Sequence, residues 1–360
     1  MRLVPTKFIP ENAVLSEALY TDEGQVLVNA GTQLTPRLVE RINQNHIFSI
    51  YINDQHSTGE IDRLVNPLLR QKGYKLVKRI FDAAGNKKPD GTPAPIPIMD
   101  MMPELSALMD DIIYEMTGFK EKQLEYIDIK NVNSYLYSSA INVALLSVLI
   151  GWEMGLNNDM IYELFMGGIF HDIGMAMMPK EVLYKKEPLT MDDKRLVLYH
   201  PLTGYEYLKD KSFLSSYVRA ITLGHHEHID GSGYPSRKSG KDIHLLTQII
   251  GIADIYDAMT SDRPYRQALP VNETLEYIMS VANKHFDMEI VKAFIKKVNP
   301  YPVGSLVRLT NGQTAVVRKV SPDMPLRPLI SIIKENNGGF EYTDVNLVEN
   351  QTLIIERIQY

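Results

Sequence analysis

The sequence predicts a mainly α protein: a helical domain flanked by a small α+β module at the N-terminus and a small β domain at the C-terminus. Three observations predict it. Apolar residues recur at helical spacing over 141–150, 160–170, 217–223 and 245–259. After residue 298 the pattern becomes an apolar–polar alternation around Asn311-Gly312, a strong hairpin signal. Near the N-terminus, short strand-like runs surround one well-signalled helix.

Residues 1–60 form the N-terminal module. Within it, 14–20 and 25–28 read as strands flanking a turn at Asp22-Glu23-Gly24. Thr35 is a capping residue and Pro36 suits the first helical position, so a helix runs from there to about Asn45. Residues 48–52 read as a further strand. Residues 61–104 contain a helix ending near 84, then a linker: 87–97 carries four prolines and two lysines. Residues 105–298 make the helical domain. Residues 299–360 make the C-terminal β domain, with 305–309 and 314–320 as one hairpin and 330–334 entering a second at Asn336-Asn337-Gly338-Gly339.

Composition narrows the function. The chain has 360 residues, enough for two or three domains, and a net charge of −6. An acidic chain is not built to coat polymeric nucleic acid or an anionic membrane. With no cysteine, a metal must be held by His, Asp or Glu. Residues 1–9 lack the apolar run of a signal peptide, and the most apolar stretch, 143–152, is about half a membrane span. A cytoplasmic protein with no membrane insertion is the expectation.

Six of the nine histidines fall within 74 residues. His171-Asp172 follows an apolar helical segment. Neighbours on a helix point about 100° apart, so this pair can reach two positions around a metal cluster. His200 is expected on the next helix, His225 and His226 at the end of a third, and Asp254 in a fourth. Helical bundles build metal sites from ligands spread in this way. Two divalent ions roughly 3.5–4 Å apart can activate water and clamp a phosphoryl group. The glycine-rich run after His228 permits close backbone approach to a ligand.

Taken together, His171-Asp172-Ile173-Gly174, His200, His225-His226-Glu227, Asp230-Gly231-Ser232-Gly233-Tyr234-Pro235, Ala253-Asp254-Ile255-Tyr256-Asp257 and Arg263-Pro264-Tyr265-Arg266 resemble the HD-GYP domain over about residues 125–298. The resemblance implies an all-helical HD-superfamily domain that hydrolyses cyclic di-GMP to pGpG, GMP or both, with iron or manganese as its metals. It implies that Asp172 bridges two ions, that His171 and Asp254 bind the first, and that His200, His225 and His226 bind the second. It further implies that Gly233, Tyr234 and Pro235 line the substrate pocket and that Arg263 and Arg266 hold phosphate, for which guanidinium forks are well suited.

Two positions depart from the family pattern. Ser139 stands where active members carry a histidine, leaving the first ion three protein ligands and making the second position the better formed. Met175 stands where the family has a lysine, and a methionine offers no charge to a developing phosphate. Tyr135 replaces a glutamate that accompanies a third metal, so no third metal is expected. Two other readings stay open: a degenerate member that binds cyclic di-GMP or a signalling-protein partner without hydrolysis, and an HD phosphohydrolase acting on another nucleotide. A homodimer is also left open.

Overall fold

The computed structural model describes residues 2–21, 25–45, 47, 49–54, 64–85, 98–120, 123–124, 135–183, 185, 187–261, 268–336 and 339–358. Outside the described residues lie the turn at Asp22-Glu23-Gly24, Phe48, the proline-rich segment 87–97, Asn337-Gly338, and both Arg263 and Arg266. The chain divides into two compact units, Met1–Arg63 with Gln123–Asn131 and Ile295–Tyr360, and Leu64–Lys122 with Val132–Phe294.

The first unit contains two β cores. At the N-terminus are β1 (Arg2–Pro5), β2 (Val14–Leu15), β3 (Leu19–Tyr20), β4 (Val26–Val28), α1 (Pro36–Gln44) and β5 (Ser49–Asn53). The run expected as one strand over 14–20 is two strands. The chain changes partner after Leu15, so β2 joins the sheet β1-β5-β2 while β3 pairs with β4. Thr35 caps α1 by accepting the Leu38 N–H, with Pro36 in the first turn. Val4, Leu15, Ile42, Ile50 and Ile52 close this core.

At the other end of the chain lie β6 (Leu306–Leu309), β7 (Thr314–Lys319), β8 (Leu329–Asn336), β9 (Gly339–Asn346) and β10 (Ile355–Ile358). They form a five-stranded antiparallel sheet in the order β10-β6-β7-β8-β9. The hairpin expected at Asn311-Gly312 is β6–β7, and Gly312 takes the left-handed backbone (φ 83°) that such a turn needs. Val307, Leu309, Val317 and Ile330 fill its core.

The second unit is helical: α2 (Pro67–Gly85), α3 (Ile98–Met116), α4 (Tyr135–Glu153), α5 (Asn158–Phe170), α6 (Lys180–Leu183), α7 (Met191–Leu198), α8 (His200–Leu208), α9 (Ser216–Gly224), α10 (Leu245–Met259) and α11 (Val271–Ser280), after which α12 (Met288–Lys297) begins. Helix α4 is long and apolar enough to cross a membrane by length and composition. However, 83% of its apolar window is buried inside the protein, where it packs on α2, α5 and α10. His200 was expected on the helix after His171-Asp172, but α6 and α7 intervene. Pro179 precedes α6, and Pro188 and the Thr190 capping box restart the chain as α7. Asn157, Ser215 and His244 cap α5, α9 and α10, so the ligand-bearing helices start at defined points.

Candidate metal centre

Helix α5 is apolar to Phe170 and ends with His171 at its C-cap. Asp172 leaves helical geometry (φ −101°, ψ 15°) and opens a short 3₁₀ turn, Ile173–Met177. Gly174 in that turn lies against the start of α8. A Cβ there would sit 2.0 Å from the His200 carbonyl oxygen and 2.7 Å from the Gly204 nitrogen. Only glycine lets α8 come this close, and the approach puts His200 beside Asp172. Helix α9 delivers His225 at its C-cap and His226 just beyond, and α10 delivers Asp254.

Six residues singled out from sequence therefore converge, and they fall into two groups. Asp172, His200, His225 and His226 form one set of donor atoms within 4.8 Å of one another. His171, Asp172 and Asp254 form the other. Asp172 belongs to both through different oxygens. Its Oδ1 is 2.9 Å from His200 Nε2 and 3.7 Å from His225 Nε2, while its Oδ2 is 3.6 Å from His171 Nε2. His171 Nε2 is 3.7 Å from Asp254 Oδ1, and His226 Nδ1 is 3.9 Å from Asp254 Oδ2.

Hydrogen bonds outside the cluster set the imidazoles for this arrangement. The Nδ1 atoms of His171 and His200 each lie 2.7 Å from a backbone carbonyl, of Gly168 and Val197 respectively. His225 Nδ1 is 3.1 Å from the Thr222 carbonyl. Donating Nδ1–H outward leaves Nε2 as the ligand atom facing inward. His171 Nε2 is buried and has no hydrogen-bond partner, a costly state that a cation among these donors would relieve. The donor set of imidazoles and carboxylates fits a divalent ion.

The electrostatics agree with the geometry. Burial opposes ionisation of Asp172, but His171 and His200 outweigh it and hold the carboxyl well below its usual range. Asp254 is held low in the same way, chiefly by His171. Burial keeps His225 and His226 below the ordinary histidine range, the neutral form that a ligand needs. His171 differs. Burial disfavours its charge, yet Asp172 and Asp254 overcome this and raise its pKa to about 9. An incoming ion must displace that proton, because proton and cation compete for Nε2 below about pH 9. Metal loading at pH 7.5 is therefore expected to release about one proton per site containing His171, with affinity rising as pH approaches 9. Calorimetry in two buffers of different ionisation enthalpy measures this. Zero proton release would mean that His171 is already neutral before the ion arrives.

Beside the centre, the loop carrying Gly233, Tyr234 and Pro235 folds back over the end of α9. A Cβ on Gly233 would meet the His226 oxygen and the His228 nitrogen, both at 2.4 Å. The Tyr234 N–H donates to the His226 carbonyl (3.1 Å), and its ring stacks on His226 at 4.7 Å. The Tyr234–Pro235 peptide is cis, and Pro235 is exposed. Arg263 and Arg266 lie outside the described residues.

Sequence reasoning gave Glu227 no role. It is 2% exposed, and its two oxygens accept the Ser236 and Lys238 N–H groups at 2.7 and 3.0 Å, anchoring the loop from beneath. The signal was a carboxylate directly after a His-His pair, which spacing alone does not separate from a solvated residue. Glu227→Ala is expected to cost about 1–3 kcal/mol in denaturant unfolding, because two amides lose a charged acceptor. Glu227→Gln keeps an oxygen and should cost less.

The two departures also have a structural setting. Ser139 is fully buried and donates to Asp257 Oδ2 at 2.7 Å. Asn142 donates to the other Asp257 oxygen at 3.0 Å, and Arg70 of α2 donates to Asn142. The serine hydroxyl is thus committed to a carboxylate. Met175 sits half-buried in the 3₁₀ turn.

Residues 125–290, which carry the six converging His and Asp side chains, match the family described as HD domain. Residues 306–359 match a KOW domain associated with HD domains. The chain is 34% identical over 227 residues to a cyclic di-GMP phosphodiesterase of Pseudomonas aeruginosa, covering 63% of this chain and 55% of that one. It is 28% identical over 228 residues to the cyclic di-GMP phosphodiesterase PdeB of Borreliella burgdorferi, covering 63% and 60%. The chain thus spans little more than half the length of these relatives. Among solved structures, an HDG"Y"P protein from Bdellovibrio bacteriovorus shares the fold, with a TM-score of 0.50, 13% identity, and coverage of 81% of this chain and 97% of that one.

Proposed function

We propose that this protein is a metal-dependent phosphodiesterase that hydrolyses cyclic di-GMP to pGpG, GMP or both in bacterial second-messenger signalling. The observation that carries the reading is the sharing of Asp172 between two donor groups whose histidines already face inward. Two divalent ions, iron or manganese, would supply Lewis acidity toward the phosphodiester and lower the pKa of the attacking water.

The chain's own residues supply the rest. Asp172, which belongs to both donor groups, would contribute a carboxylate oxygen to each ion. His200, His225 and His226 would complete the four-donor position, and His171 and Asp254 the three-donor position. The loop of Gly233, Tyr234 and Pro235 lines the substrate pocket, with Tyr234 tied to the centre through His226. Arg263 and Arg266 hold phosphate. In this reading residues 105–298 carry the catalytic centre, α2 within the preceding 61–104 packs as part of the same body, and 1–60 and 299–360 are accessory modules.

A second reading, cyclic di-GMP binding without hydrolysis, is favoured by the commitment of the Ser139 hydroxyl to Asp257 and by the uncharged Met175. Anaerobic incubation with cyclic di-GMP and Fe(II) or Mn(II), followed by chromatography, separates the two. Accumulation of pGpG or GMP supports the phosphodiesterase. Tight binding with no product from metal-loaded protein overturns it, and the double change Ser139→His with Met175→Lys should then create turnover.

A further inference from the structure

We infer that His285 is a positioning residue for the loop 228–238, holding it in the form that receives substrate; this role rests on the loop's assignment to the substrate pocket. His285 lies 60 residues along the chain from His225 and is not among the donors at the centre. Its ring stacks face to face on His228, with centroids 3.7 Å apart and planes 7° apart. Its carbonyl accepts the Ile229 N–H at 3.1 Å, and the preceding Lys284 carbonyl accepts the Asp230 N–H at 2.9 Å. Two backbone bonds and a ring contact thus join the turn 281–286 to the foot of the loop.

That turn is itself firmly seated. Asn283 adopts a left-handed backbone (φ 59°) and donates its N–H to the Phe286 carbonyl. Phe286 is buried against α10, so close that a Cβ on Gly251 would lie 3.1 Å from its ring. The Asp287 N–H donates to Gln248 Oε1 at 3.1 Å, also on α10. The helix that carries Asp254 therefore supports, through this turn, a ring that braces the loop. His228 passes the brace onward, since its Nδ1 is 3.0 Å from Ser232 Oγ, one residue before Gly233. Glu227 fixes the far limb of the loop and His285 fixes the near one.

The test compares His285→Ala with His285→Phe, which keeps a flat ring over His228. A lost ring contact is worth roughly a three- to tenfold change. His285→Ala should raise KM for cyclic di-GMP by that factor with little change in kcat, should leave bound metal per protein unchanged, and should speed amide exchange at Ser232–Lys238 relative to α4. His285→Phe should restore both KM and exchange. Unchanged exchange in His285→Ala, or equal losses of melting temperature and metal content in both variants, overturns the inference. Should the wild-type protein bind without turnover, Kd replaces KM. Should it neither bind nor hydrolyse cyclic di-GMP, the proposed substrate fails, while the exchange comparison still decides whether His285 braces the loop.

Discussion

Asp172→Ala is expected to lower turnover of cyclic di-GMP by more than about 10³-fold and to reduce bound metal in both positions. Loss of one electrostatic contact to a transition state costs on the order of 10²–10³ in rate. Among the described residues Asp172 alone belongs to both donor groups, so its removal reaches both. It also balances His171 and His200, whose neighbourhood keeps it ionised. The check is steady-state turnover alongside metal analysis. Asp172→Asn, which keeps the shape and loses the charge, should behave almost as badly. Undiminished turnover in either variant would remove the proposed centre from the chemistry.

Gly174→Ala should be the most damaging single methyl in the helical unit. The added carbon would need to occupy space 2.0 Å from the His200 oxygen and 2.7 Å from the Gly204 nitrogen. Both are backbone atoms, so no side chain can swing aside. The 3₁₀ turn or the whole of α8 must shift. Overpacking a core ordinarily costs about 1–3 kcal/mol, and a main-chain clash of this depth belongs at or above the upper end. Because the shift moves His200 away from Asp172, metal affinity at the four-donor position should fall with stability. Thermal unfolding with and without Mn(II) reads both effects: the variant should melt lower and gain less from the ion. A normal melting temperature would mean that α8 is not seated as described.

The donor cluster was legible in the sequence because its residue types are scarce. Nine histidines in 360 residues, six of them close together with Asp172 among them and Asp254 just beyond, narrow the choice of donors before any fold is known. The spacing of the helices that carry them was not legible. It depends on backbone contacts at Gly174 and on the separate short helices α6 and α7, which a hydrophobic pattern does not report. Ser139 could be recognised as a missing imidazole, but its partner Asp257 is 118 residues away. Glu227 and His285 were passed over for the same reason: their roles lie in which amides and which ring they meet. At the N-terminus, alternation over 14–20 indicated extended chain correctly but could not reveal a change of partner after Leu15.

Helix α2 precedes the residues that match the HD domain family, yet it is part of the same folded body. Its buried face includes Leu76, Val77, Ile80 and Phe81. Asp82 accepts the Tyr137 hydroxyl at 2.8 Å, and Arg70 reaches Asn142 on the helix that carries Ser139. A fragment cut at residue 125 would strip the covering from one side of α4 and leave a naked apolar wall, inviting aggregation whatever its active site could do. The smallest excisable form of the helical unit therefore begins near Leu64, well ahead of residue 125, where the match to the HD domain family starts.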